Sequence, residues 1–239
     1  MGRAHEVRAA AMAKTAAMKS KLYSRYGKEL YIAAKSGVPD PDTNLELRRK
    51  IKEAKANQVP ADVIKRAIEK AKGGTTENYD SLRYEGFGPG QATIIVDCLT
   101  NNSNRTVAAM NSCFNKAHCK LGVKGSVSFN YNNLGVLSFK YDNDEAMLET
   151  LIGADVNVND IEVEDGQMVV YVEASDLHKA QEAIEEMLPN IEFDVCAIKM
   201  LPHEYVKIEN PEDKELWNRL LTLLDDCEDV QEVFHNVEE

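Results

Sequence analysis

Residues 135–199 read GVLSFKYDNDEAMLETLIGADVNVNDIEVEDGQMVVYVEASDLHKAQEAIEEMLPNIEFDVCAIK. Gly135 to Tyr141 has the composition of a strand, and Asp144 to Ile152 has a helical apolar pattern. Val156 to Glu162 and Met168 to Glu173 read as two strands joined by the turn dipeptide Asp165-Gly166. Ser175 to Leu188 returns to helical spacing, and Ile191 to Lys199 closes the stretch as a strand. The order is β-α-β-β-α-β, the split ferredoxin-like motif.

Working outward, Gln91 to Leu99 reads as a buried strand, Asn104 to Ala117 as a helix and Ser126 to Tyr131 as a strand. Beyond Pro202, Tyr205 to Ile208 and Val230 to Phe234 read as strands around a helix over Pro211 to Leu224. Joining these two flanks makes a second ferredoxin-like unit, into which the first is inserted. The N-terminal part is helical: an Ala-rich helix over about Glu6 to Lys14, another over Ser20 to Ala34 with Gly37 as a left-handed stop, and two more beyond the Val38 to Asp42 loop. Thr43-x-x-Glu46 has the form of a capping box, and Pro60 suits the first turn of the last helix, which Gly73 ends. The expected fold is α+β: an N-terminal helical domain followed by two nested ferredoxin-like domains. Its boundaries fall at 1–78, at 79–133 plus 201–239, and at 134–200.

The formal charge of −12 over 239 residues is unevenly spread. Residues 1–74 hold 17 Lys+Arg and 8 Asp+Glu, a charge of +9, whereas the other 165 residues hold 11 and 32, a charge of −21. A basic segment on an acidic chain points to a polyanion partner, DNA or RNA; pairing with the acidic part or plain solvation would also account for it. No stretch approaches the ~20 apolar residues of a membrane span, and no apolar leader is evident, so a cytoplasmic protein without a membrane partner is expected. The five cysteines form no C-x-x-C pair and read as free thiols.

Lys21, Arg25 and Lys28 recur at i, i+4, i+7, as do Arg48, Lys52 and Lys55, so each triplet lies on one helix face. Lys14, Arg49, Lys65 and Arg66 add charge around them, with Tyr23, Tyr26 and Tyr31 interleaved. Arg83 and Arg105 complete the candidate nucleic-acid-binding set; Arg105 sits in a first helical turn, where the helix dipole does not favour a cation. Gly86 to Gly90 leads into a strand and carries no Lys-Ser or Lys-Thr, so it reads as a turn rather than a phosphate loop. The acids Asp225, Asp226, Glu228 and Asp229 lack EF-hand order and read as a helix end in water. The histidines are scattered, and no nucleophile or metal-ligand spacing is present. These readings predict no catalytic centre, no cofactor, no metal and no small-molecule substrate, and a monomer is expected.

Three blocks, Arg83-Tyr-Glu-Gly-Phe-Gly-Pro-Gly90, Cys98-Leu-Thr-Asn-Asn-Ser-Asn-Arg-Thr106 and Gly125-Ser-Val-Ser-Phe129, together with Val230-Gln-Glu-Val-Phe-His-Asn236, resemble those of the YebC/PmpR family. Ala33-Ala34-Lys35, Asp40-Pro41-Asp42 and Ala71-Lys72-Gly73-Gly74 are similar to its helical domain, and the likeness is greatest to the YeeN branch. The resemblance implies a three-domain, cytoplasmic, non-enzymatic protein that acts as a DNA-binding transcriptional regulator. Related organellar members imply the alternative, a translation factor at the ribosome; a small-molecule sensor built on Gly86 to Gly90 is the third reading. Gly2-Arg3-Ala4-His5-Glu6 departs from the family's usual opening, which carries a Lys and a Trp.

Overall fold

The computed structural model describes residues 3–73 and 78–238, with side chains described from residue 19 onward except residue 56. The helical segment comprises α1 (Arg3–Lys35), α2 (Leu45–Ala56) and α3 (Ala61–Lys72). The two N-terminal helices expected from sequence are one continuous helix. Leu30, Leu47, Ala54, Ile64 and Ala67 are buried together, with Tyr26, Ala33 and Ala34 completing the core. Tyr26 and Tyr31 are thus interior residues rather than part of an aromatic surface.

The entry to α2 departs from the expected capping box. Asn44, not Thr43, is the N-cap: its side-chain oxygen accepts from the Leu47 amide at 3.0 Å, and its Nδ2 donates to the carbonyls of Ala33 (2.8 Å) and Val38 (3.0 Å). One buried amide therefore caps one helix and ties down the end of another. Gly37 is not left-handed; a Cβ there would lie 3.0 Å from Asn44 Nδ2, so the glycine makes room for that amide.

Next come β1 (Asp80–Phe87), β2 (Thr93–Thr100), α4 (Ser103–Lys116) and the short β3 (Lys120–Leu121). Then β4 (Tyr131–Lys140), α5 (Asp144–Gly153), β5 (Val158–Glu164), β6 (Gln167–Glu173), α6 (Leu177–Met187) and β7 (Phe193–Pro202) form the inserted module. The chain ends with α7 (Pro211–Asp225) and β8 (Val230–His235). The inserted sheet has the order β5-β6-β4-β7, the strand order of the ferredoxin-like fold, and β4 pairs antiparallel with both neighbours. Its core packs Leu137, Phe139, Met168 and Val170 from the sheet against Met147, Leu151, Ala180 and Ile184 from α5 and α6. Asp165 and Gly166 both have positive φ, as a two-residue hairpin turn requires. The other sheet has the order β3-β1-β2-β8, with the inserted module lying between β3 and α7 in sequence.

Three elements of this outer sheet differ from expectation. Strand β1 escapes a periodicity reading because its two buried residues are Glu85 and Gly86, neither of which gives an apolar signal. Ser126 to Tyr131 is not a strand: Ser128–Asn130 is a 3-10 turn, and β4 begins only at Tyr131. The amides of Gly125, Val127 and Ser128 donate to the Glu85 carboxylate, so they are withdrawn from any ladder. Tyr205 to Ile208 forms only a single bridge, Val206 with Val237. Of Gly86 to Gly90, Gly86 and Phe87 end β1, and Gly88 to Gly90 belong to the turn into β2, closed by Gly88 N–H to the Ala92 carbonyl at 2.8 Å. A Cβ on Gly88 would stand 2.7 Å from the Trp217 ring, so this glycine serves packing.

The chain forms two compact units. One contains residues 1–83, 96–117 and 218–232; the other contains 84–95, 118–217 and 233–239.

Candidate nucleic-acid interface

In the first unit, the face of α1 carrying Lys21, Arg25 and Lys28 meets the acidic stretch at the end of α7 and the start of β8. Lys21 Nζ donates to Asp226 Oδ1 at 3.0 Å and to the Asp225 carbonyl at 2.9 Å, with Asp225 Oδ2 at 3.3 Å. The Arg25 guanidinium pairs with Glu232 and, through Nε at 3.2 Å, with Glu29. Lys28 Nζ donates to the Glu228 carbonyl at 2.8 Å and lies 3.3 Å from Asp229 Oδ1. Acidic partners raise the pKa of Lys21 through hydrogen bonds from its ammonium, and that of Arg25 despite its burial.

Asp229 is the centre of this arrangement, at 5% exposure. Arg105 Nη2 donates to its two carboxylate oxygens at 2.9 and 3.0 Å, and Thr106 Oγ1 donates to Oδ2 at 2.9 Å. Burial works against its ionisation, yet the bonds from Arg105 and Thr106 and the charge of Lys28 outweigh it and hold its pKa below the ordinary carboxylate value. The reading of this stretch as a helix end in water therefore fails at Asp229. The position of Arg105 in the first turn of α4, unfavourable for the dipole, is explained by this carboxylate.

The other candidates are placed separately. Arg48 donates to the carbonyls of Pro41 (2.9 Å) and Asp42 (2.6 Å), closing the loop before α2. Lys52 and Lys55 are exposed on α2, with Arg49 half-buried beside them. On α3, Lys65 stands 3.9 Å from Glu69 and Arg66 pairs with Asp62, both within one turn and both well exposed. Arg83 makes a bidentate pair with Asp97 at 2.6 and 2.7 Å. The Lys14 side chain and residues 1 and 2 lie outside what is described. Thus the structure gathers Lys21, Arg25, Lys28 and Arg105 around the acidic stretch at residues 225–232, and places Lys52, Lys55, Lys65 and Arg66 on the exposed surfaces of α2 and α3.

All five cysteines are free thiols, and burial pushes Cys98 up to about 12, far from a reactive thiolate. Among the described residues, no group of three His, Cys, Asp or Glu is placed to hold a metal ion, and no helix is long and apolar enough to cross a membrane.

A basic helical segment followed by two α+β sheets, one inserted in the other, is the architecture that two domain models of one protein family describe between them. Residues 3–74 match the model of the TACO1/YebC protein N-terminal domain, and residues 79–237 match that of the TACO1/YebC second and third domain. The chain belongs to this family, the YebC/PmpR family of its sequence motifs. It is 48% identical over 236 residues to a probable transcriptional regulatory protein of Alteromonas mediterranea, covering 99% of this chain and 98% of that one. Probable transcriptional regulatory proteins of Pseudoalteromonas translucida (50%) and Vibrio parahaemolyticus (48%) are similar over the full length of both chains. The crystal structure of a conserved hypothetical protein from Aquifex aeolicus is similar in fold, with a TM-score of 0.77 at 29% identity, covering 93% of this chain and 91% of that one.

Proposed function

We propose that this protein is a non-enzymatic, cytoplasmic, nucleic-acid-binding regulator whose phosphate contacts lie on α2 and α3. The observation that carries this reading is the opposition of sign: a +9 N-terminal segment on a chain that is otherwise −21. Lys52, Lys55, Lys65 and Arg66 are among the exposed cations of that segment; Lys21, Arg25 and Lys28 hold the acidic stretch and reach phosphate only by exchanging carboxylate for it. The names of the relatives support a role in regulation, and the free thiols suit a reducing compartment. Three domains, 1–78, 79–133 with 201–239, and 134–200, are the units we assign to this work.

A DNA-bound regulator and a ribosome-bound translation factor both need such a surface, and one experiment separates them. The protein is purified from cells with and without nuclease, and the co-purifying nucleic acid is sequenced. Nucleic acid lost on nuclease treatment is the expected result, its sequence distinguishing genomic fragments from ribosomal RNA. Protein free of nucleic acid in untreated extracts contradicts the proposal.

A further inference from the structure

In the second unit, the loop between β3 and β4 is built in an unusual way. Glu85, 2% exposed, places its carboxylate beneath the loop: Oε1 accepts from the Gly125 amide at 2.8 Å, and Oε2 accepts from those of Val127 (2.7 Å) and Ser128 (2.9 Å). The Glu85 carbonyl accepts from the Gly122 amide at 2.8 Å. Gly125 has φ +84, a conformation that side chains disfavour, and Val127 is fully buried against Ile95, Tyr131 and Met200. Charge-assisted bonds to three amides fix a short loop in one conformation.

This fixed loop holds apolar side chains in water. Phe129 is 69% exposed and Val123 is 77% exposed. Lys120, in β3, and Lys124, in the loop, are exposed in the same segment, and among the described residues neither has a carboxylate partner. The surrounding sequence is equally one-sided: residues 98–141 contain no Asp or Glu, although the chain has 40, and they carry Arg105, Lys116, Lys120, Lys124 and Lys140. In the acidic part of the chain, this is where a polyanion would be least repelled.

We propose that the Gly122–Asn130 loop is a binding surface for single-stranded nucleic acid, with Phe129 as a stacking platform and Lys120 and Lys124 as phosphate contacts. An exposed aromatic ring on a fixed loop, in a segment that also carries exposed lysines and no acidic residue, matches an unstacked base with its neighbouring phosphates, whereas a duplex keeps its base faces covered. The inference rests on the nucleic-acid reading above and deepens it, naming a ligand class and a site outside the helical segment.

The test uses the full chain with three labelled probes, a short oligouridine, an oligothymidine of equal length and a duplex, each titrated over a range of salt. Phe129→Ala should weaken binding to the single strands about five- to a hundredfold, and Phe129→Tyr should retain it. Changing Lys120→Gln together with Lys124→Gln should reduce the log–log salt slope by about 1.4, the loss of two phosphate contacts on a single strand. The oligouridine and oligothymidine arms tell RNA from DNA. Unchanged single-strand binding in both variants, or an equal loss on the duplex, overturns the inference while leaving the proposed function standing. Failure of the unaltered protein to bind any of the three probes removes the proposed function itself and the inference with it.

Discussion

The cations of α1 and those of β3 and the loop after it carry the same charge in opposite circumstances. Lys21, Arg25 and Lys28 are satisfied by carboxylates and carbonyls about 200 residues away in sequence, whereas Lys120 and Lys124 stand exposed with no such partner among the described residues. The more conspicuous basic pattern, a helical triplet, is thus the one already neutralised within the chain. The less conspicuous one, a lysine on β3 and another in the glycine-containing loop after it, is open to an external anion. Net charge indicates what a segment attracts; only the fold tells whether that attraction has been met internally.

The largest effect is expected where the internal neutralisation is buried. Asp229→Ala leaves Lys28 and Arg105 without their shared carboxylate and should lower stability by about 3 kcal/mol in urea unfolding. The pairs of Lys21 with Asp225 and Asp226 lie at the surface, so changing both aspartates to Asn should cost less than about 1 kcal/mol. Equal costs at the two places would break the distinction between a buried anchor and a surface contact.

A smaller effect follows at the loop. Glu85→Gln keeps an oxygen acceptor but removes the charge that three amides share, and should cost roughly 2 kcal/mol. It also has a pH signature. Burial opposes ionisation of Glu85, but the bonds from Val127, Gly125 and Ser128 prevail and lower its pKa, as the partners of Asp229 lower that of Asp229. Both carboxyls stay ionised in the folded protein at pH values where the unfolded chain takes up protons. Stability is therefore full above the ordinary carboxylate range, about pH 4, and declines as pH falls from there through the folded values. Glu85→Gln should make this decline shallower. An unchanged pH profile would show that the carboxylate does not hold the loop.

Much of the architecture is legible in the sequence because its signals are local. The inserted ferredoxin-like module can be read from Asp165-Gly166 and the apolar periodicities on either side. The helical segment is equally readable, although Asn44 rather than Thr43 caps α2. The errors arise where a side chain answers a distant backbone or charge. Val127, Ser128 and Phe129 have strand composition, yet their conformation is decided by Glu85, some 40 residues earlier. The cations of α1 could be placed on one face by counting, but their partners could not, because charge counts carry no distances. The acids at 225, 226, 229 and 232 do hold a usable signal: an opposite-sign cluster beside an apolar strand, with spacing that can mate with a helical triplet.

The central claim is that the outer cations of α2 and α3 contact phosphate, and salt-dependent binding tests it most directly. The protein and a variant carrying Lys52→Gln, Lys55→Gln, Lys65→Gln and Arg66→Gln are titrated with the nucleic acid that co-purifies, and log affinity is plotted against log salt. Gln keeps good helix propensity, so the comparison isolates charge. The account predicts a linear fall for the unaltered protein and, in the variant, weaker binding with a slope reduced by up to about 0.9 for each lost contact on duplex DNA, or about 0.7 on a single strand. An unchanged affinity and slope in the variant would contradict it.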